Sequence, residues 1–223
     1  PGNILDLVNG DTRLVFIANP NNPTGTWLDS NALHGLIAAL PADVLVVVDE
    51  AYHEYSRALG VPDATVWLGE FPNLVVTRTF SKVYGLAGIR VGYGISTASV
   101  AAVLNRVRQP FNVNSLALVG GLAALADQEF VQSSVALNVK GLQQLRAGLQ
   151  ELDINCPPSA GNFVLADFGR PVLDTYQSLL ERGVIVRPVG NYGLPHHLRI
   201  TVGAPAQNEH LLQALAEIRH AKA

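Results

Sequence analysis

Four short apolar runs rich in β-branched residues constrain this chain most: Leu14 to Ala18, Val44 to Val48, Leu74 to Thr77 and Val91 to Ile95. They are near-continuous rather than alternating, which is how strands covered on both faces of a parallel sheet read. Between the first two lies "LDSNALHGLIAALP", with Asp29 or Ser30 as N-cap and Leu33, Leu36, Ile37 and Leu40 on one helical face. Strand, helix, strand makes a βαβ unit, so the chain is expected to be α/β with a mostly parallel sheet. Helices are expected over 97–109, 115–127 and roughly Glu129 to Leu152. Beyond "CPPSAG" come an apolar run Phe163 to Ala166, a helix over Val172 to Arg182, the segments "VIVRP" and "LRITVG", and a last helix Gln207 to His220. This second texture predicts a smaller α/β layer entered through the long helix.

Composition narrows the partners. At 223 residues and 48% apolar content the chain can bury a substantial core, and a net charge of −3 with interspersed signs points to neither nucleic acid nor an anionic membrane. No apolar run approaches the roughly 18 to 20 residues that span a bilayer, and the start lacks the features of a signal peptide. A cytoplasmic location is expected. The single Cys156 excludes an internal disulfide and reads as an inert thiol, and His53, His196 and His197 lack metal-ligand spacing, so no metal is expected. Methionine is absent altogether, which leads us to expect a piece of a longer protein.

Chemistry gathers where the runs end. After the first comes "NPNNPTG", a cluster of turn formers with two adjacent carboxamides, Asn21 and Asn22, at the carboxyl end of a strand, where α/β proteins bind ligands. The second run ends in Asp49, a carboxylate that would be expensive there without a cationic partner. It reads as a helix N-cap, as a site residue, or as the acid of a Walker-B strand. The last reading requires a G-x-x-x-x-G-K-[ST] loop that residues 1–43 lack. The third run leads into Thr79, Ser81, Lys82 and Arg90. Hydroxyls and an arginine make a phosphate site, and a lysine in an apolar strand-end setting can act as a nucleophile through a Schiff base. An amide, an acid, a lysine and a phosphate cradle are together the groups that pyridoxal phosphate requires.

"NPNNPTG", "DEAYHEY" and "TFSKVYGLAGIRVGYG", in this order and spacing, resemble the fold-type I aminotransferases, most closely the histidinol-phosphate aminotransferases, and "LLERGVIVRPVGNYGLPHHLRITVG" looks like that family's C-terminal domain. The resemblance implies a three-layer αβα large domain, here 1–128, plus a small α/β domain, 129–223. It implies pyridoxal 5'-phosphate as cofactor and a homodimer. Lys82 matches the Schiff-base lysine, Asp49 the partner of the pyridinium nitrogen, and Asn22 and Tyr52 the donors to the phenolate oxygen. Thr79, Ser81 and Arg90 match ligands of the cofactor phosphate. Arg199 matches the arginine that holds a substrate carboxylate, and Arg187 is placed to meet a substrate phosphate. The implied reaction moves an amino group between glutamate and imidazole-acetol phosphate in histidine biosynthesis. The same fold would also suit an aromatic amino-acid aminotransferase, a phospho-amino-acid decarboxylase, or an inactive oligomerising fragment. Family members carry a segment before the Asn loop, with a Gly-containing turn for the cofactor phosphate and an aromatic residue that stacks on its ring, which these residues do not match.

Overall fold

The structure is a computed structural model and describes residues 1–220. Its elements run α1 (Gly2–Leu5), β1 (Leu14–Ala18), α2 (Ser30–Ala39), β2 (Leu45–Asp49), α3 (His53–Ser56), β3 (Leu74–Thr79), β4 (Gly92–Ser96), α4 (Ala98–Val107), α5 (Ser115–Ala126), α6 (Gln128–Glu151), β5 (Phe163–Asp167), α7 (Leu173–Glu181), β6 (Arg187–Val189), β7 (Leu194–Thr201) and α8 (Pro205–His220). By internal contacts they form two compact units: Pro1–Pro20 with Trp27–Gln132, and Asn21–Thr26 with the chain from Ser133 onward.

In the first unit the sheet order is β1-β2-β3-β4, with β1, β2 and β3 parallel and β4 antiparallel to β3. Asp29 caps α2 by accepting from Ala32 N at 2.8 Å, and Leu33, Leu36 and Ile37 bury the helix against Ile17, Val46, Val48, Leu74 and Val76. The central strands are covered on both faces, since Val47 and Val75, which point the other way, are buried too. The edge strands are not. Leu14 and Phe16 of β1 are 45% and 69% exposed, and Gly92, Tyr93 and Gly94 of β4 are open. Double coverage was expected of all four runs; among the described residues it fails at β1 and β4, which end the sheet they form, and the face that Phe16 occupies is left open by them.

The second unit packs a three-stranded antiparallel sheet, order β5-β7-β6, against helices. Val164, Ala166, Leu198 and Ile200 turn one face into a core completed by Leu145, Leu149, Leu179, Leu211 and Leu215. Cys156 packs at its margin, and burial pushes its thiol up to about 11, as an inert side chain would be. Among the described residues no helix is long and apolar enough to cross a membrane. Lys222 lies outside them.

Candidate active site

In the first unit the site is built by the pleat. Successive residues of a strand face opposite ways, so on β2 Val46 and Val48 enter the core while Asp49 faces away. On β3, Thr77 lies opposite Asp49 and on the same face. Its Oγ1 donates to Asp49 Oδ1 at 3.3 Å. Asp49 is exposed and caps no helix, since α3 has Tyr52 at its N-cap position. The desolvation argument made for Asp49 therefore belongs to its neighbour. Glu50 is the buried acid, 1% exposed, and Arg78 is its cationic partner.

Past the end of β3 the backbone turns tightly. Thr79 Oγ1 accepts from Ser81 N at 3.1 Å, Leu86 N donates to Phe80 O at 3.0 Å, and Gly85 N donates to Lys82 O at 3.0 Å with Gly85 at φ 69°. Phe80 anchors this turn: it is 5% exposed, packs 4.9 Å from the Tyr84 ring, and faces Gly121 of α5. Arg90, itself left-handed at φ 58°, donates to Ala87 O at 2.7 Å and reaches Ser81 Oγ at 3.4 Å. Lys82 Nζ stands 5.3 Å from the centre of the buried Tyr52 ring. One further pair lies close by: burial raises Glu54, and burial and Glu54 push the Tyr84 phenol up to about 12.

In the second unit the loop Asn21–Thr26 closes on itself through Asn21 N to Thr26 O at 2.8 Å and Gly25 N to Asn21 O at 2.7 Å. Asn21 is spent within it, its Nδ2 donating to Thr24 Oγ1. Asn22 accepts at Oδ1 from Arg199 Nη1 at 2.7 Å. Arg199 lies on β7 with its Cζ 5.2 Å over the Phe163 ring, and its Nε is buried without a hydrogen-bond partner among the described residues. Across the sheet Arg187 pairs with Arg199 in register, so two arginines sit side by side on the face opposite the core. Like charges directly opposite are unfavourable unless an anion lies between them.

The structure thus groups Asp49, Tyr52, Thr79, Ser81, Lys82 and Arg90 in the first unit, and Asn22, Arg187 and Arg199 in the second. Sequence reasoning missed Thr77, Glu50 and Arg78. The alternation in "VVVDE" and "VVTRT" carried that signal, because it sends Asp49 and Thr77 to one face and Glu50 and Arg78 to the other. The donor set suits a phosphorylated pyridine cofactor: an exposed carboxylate, hydroxyls beside a guanidinium, and an amine over a phenol ring.

A family model described as aminotransferase class I and II matches residues 3–215. Among curated proteins, histidinol-phosphate aminotransferase 2 of Pseudomonas fluorescens (strain Pf0-1) is 55% identical over 215 residues, covering 96% of this chain and 58% of the relative. The protein of that name from Methylococcus capsulatus is 54% identical with the same coverage. The chain spans 58% of the length of these relatives. Of solved structures, histidinol-phosphate aminotransferase from Sinorhizobium meliloti in complex with pyridoxal-5'-phosphate superposes with a TM-score of 0.84 at 32% identity, over 94% of this chain and 58% of that one. L-threonine-O-3-phosphate decarboxylase from Porphyromonas gingivalis, at 23% identity and a TM-score of 0.84 over 96% of this chain and 67% of that one, shares the fold.

Proposed function

The chain belongs to the class I and II aminotransferases, and from that premise we propose that it carries the larger part of a pyridoxal-phosphate-dependent transaminase acting between glutamate and imidazole-acetol phosphate. The observation that carries this reading is Lys82 over Tyr52 at the end of β3, beside an Asp49 held by Thr77 at the end of β2. The names of the relatives support the substrate pair.

Pyridoxal phosphate, when bound, supplies an electron sink for the carbanion formed at the substrate Cα. The chain's own residues do the rest. Asp49 would accept from the pyridine N–H and keep that nitrogen protonated. Thr79, Ser81 and Arg90 hold the phosphate. Tyr52 and Asn22 would each offer a donor to the phenolate oxygen. Lys82 would hold the cofactor through its amine, and the same amine would serve as the general base toward the substrate Cα proton. Arg199 clamps the glutamate carboxylate, and Arg187 meets the phosphate of the second substrate, which gives the adjacent arginines their anion.

On this reading 1–128 is the cofactor-binding portion and 129–223 the small domain of a cytoplasmic enzyme. A homodimer is supported by α5, whose Leu116, Val119 and Leu122 are 79%, 69% and 74% exposed although the helix is apolar all round. The test is an assay of glutamate-dependent amination of imidazole-acetol phosphate against an aromatic keto acid. Turnover with the phosphorylated substrate is expected, and a preference for the aromatic acid would overturn the substrate assignment.

A further inference from the structure

Behind the site, on the core face of the same strands, lies a charged cluster with no part in the chemistry above. The register that pairs Val46 with Leu74 and Val48 with Val76 carries on to set Glu50 beside Arg78. Arg78 donates through Nε and Nη2 to Glu50 Oε2 at 2.9 and 2.7 Å, and Nη2 also reaches Asp63 Oδ1 at 2.6 Å. The other oxygen of Glu50 accepts from Ala64 N at 2.7 Å. His53 Nδ1 stands 3.4 Å from Glu50 and its Nε2 3.8 Å from Asp63. Glu50, His53 and Asp63 are close enough together to ligate a metal, but the Arg78 guanidinium already satisfies both carboxylates. The Asp63 carboxyl is pushed up by burial and pulled down further by its bonds to Thr65 and by Arg78 and His53, so it is held charged.

A buried ion pair is a poor way to gain stability, because apolar residues of similar volume serve as well or better. This one sits where the apolar run ends and the functional residues begin. Glu50 follows Asp49 directly, and Arg78 lies between Thr77 and Thr79. We propose that Glu50 and Arg78 are positioning residues: from the far face their ion pair ties the end of β2 to the end of β3 and so sets Asp49 and the Thr79–Lys82 turn at the spacing the cofactor needs. Asp63 and Ala64 brace the pair from the segment between the strands. The inference rests on the proposed cofactor site.

The experiment uses the intact protein that carries this chain, loaded with pyridoxal phosphate. The double variant E50L/R78M replaces the pair with apolar side chains; Asp63 keeps Thr65 and His53, and the Ala64 N–H loses its acceptor. It is expected to fold, with a lower melting temperature for the lost Ala64 contact. Its affinity for pyridoxal phosphate should fall about tenfold, and the pH midpoint of the bound cofactor's visible absorbance should shift by about one unit, because site geometry must hold to about 0.5 Å. Unchanged affinity and midpoint in a folded double variant would overturn the proposal. Should the double variant fail to fold, Arg78→Lys keeps the charge and loses the planar fork. A smaller shift of the midpoint supports the proposal and an unchanged midpoint overturns it. Lys82→Ala is the control for the underlying reading: a wild type with no cofactor band sensitive to Lys82 overturns both, whereas a normal band that E50L/R78M leaves untouched overturns only the positioning role.

Discussion

Arg199 and Asn22, 177 residues apart in the chain, are joined by a 2.7 Å hydrogen bond from guanidinium to carboxamide. One residue thus proposed to hold the substrate is held by another proposed to hold the cofactor. A charge-assisted hydrogen bond contributes roughly 1.5 to 3 kcal/mol. In the intact enzyme Arg199→Ala should therefore raise KM for glutamate by about one to two powers of ten, with the cofactor still bound. Asn22→Ala, which removes one partner of Arg199 and one donor to the cofactor, should weaken both substrate and cofactor binding. Steady-state kinetics and a cofactor titration check the pair.

Asp49→Asn keeps the shape of the side chain and its contact with Thr77 while removing the charge that holds the pyridine proton. Cofactor binding should persist and turnover should fall by several powers of ten in an amination assay. Retained turnover would make the acid structural.

Gly25 has φ +73°, and a Cβ there would overlap the Ser159 side chain. Gly25→Ala should destabilise the protein by about 1 kcal/mol for the left-handed backbone alone, with the overlap adding to it. Adding Ser159→Gly should recover the overlap part only when read against a Ser159→Gly single variant, because that change also removes the Oγ that accepts from Gly161 N. Denaturant melts of the single and double variants measure the two contributions separately.

Much of this was legible beforehand for a physical reason. Apolar runs such as Leu14–Ala18 and Phe163–Ala166 can be buried in few ways, and turn formers such as those of the Asn loop mark where strands stop. Exposure was less legible. Phe16 reads as a core residue, yet it sits on an edge strand, and whether an edge is covered depends on chain beyond the local pattern. The ion pair behind the site was hidden for another reason: Asp49 and Glu50 look alike in sequence, and only the pleat, fixed by the β2–β3 register, decides which of them is buried. Nor does local sequence tell that the Asn loop bonds to Ala160 and Arg199, since these partners lie far along the chain.

Burial raises Glu54 above its ordinary value of 4.5, against smaller lowering contributions from its own backbone bond, His53, Tyr84 and Arg78. A carboxyl raised on folding favours the folded state fully below its unfolded value, and that contribution is lost as pH rises through the folded value. Glu54→Gln should therefore raise Tm at neutral pH and lose that advantage below about pH 4. Thermal melts across this range give the sign directly.

The account centres on Lys82 as the residue that holds the cofactor covalently, and borohydride reduction followed by peptide mass spectrometry tests it most directly. Of the three lysines in the sequence, Lys140 lies within α6 and Lys222 near the chain end. The loaded protein should carry a pyridoxyl group on Lys82 and lose it in Lys82→Ala. The isolated 223-residue chain, which spans 58% of the length of the Pseudomonas fluorescens relative, should show the same label at weaker occupancy if, as the resemblance implies, a ring-stacking aromatic and part of the phosphate cradle belong to the segment these residues do not match. Each such contact is worth on the order of 1 to 3 kcal/mol, so affinity should fall by roughly two to four powers of ten. A label on Lys140 or Lys222 instead, or none on the intact loaded protein, would contradict the account.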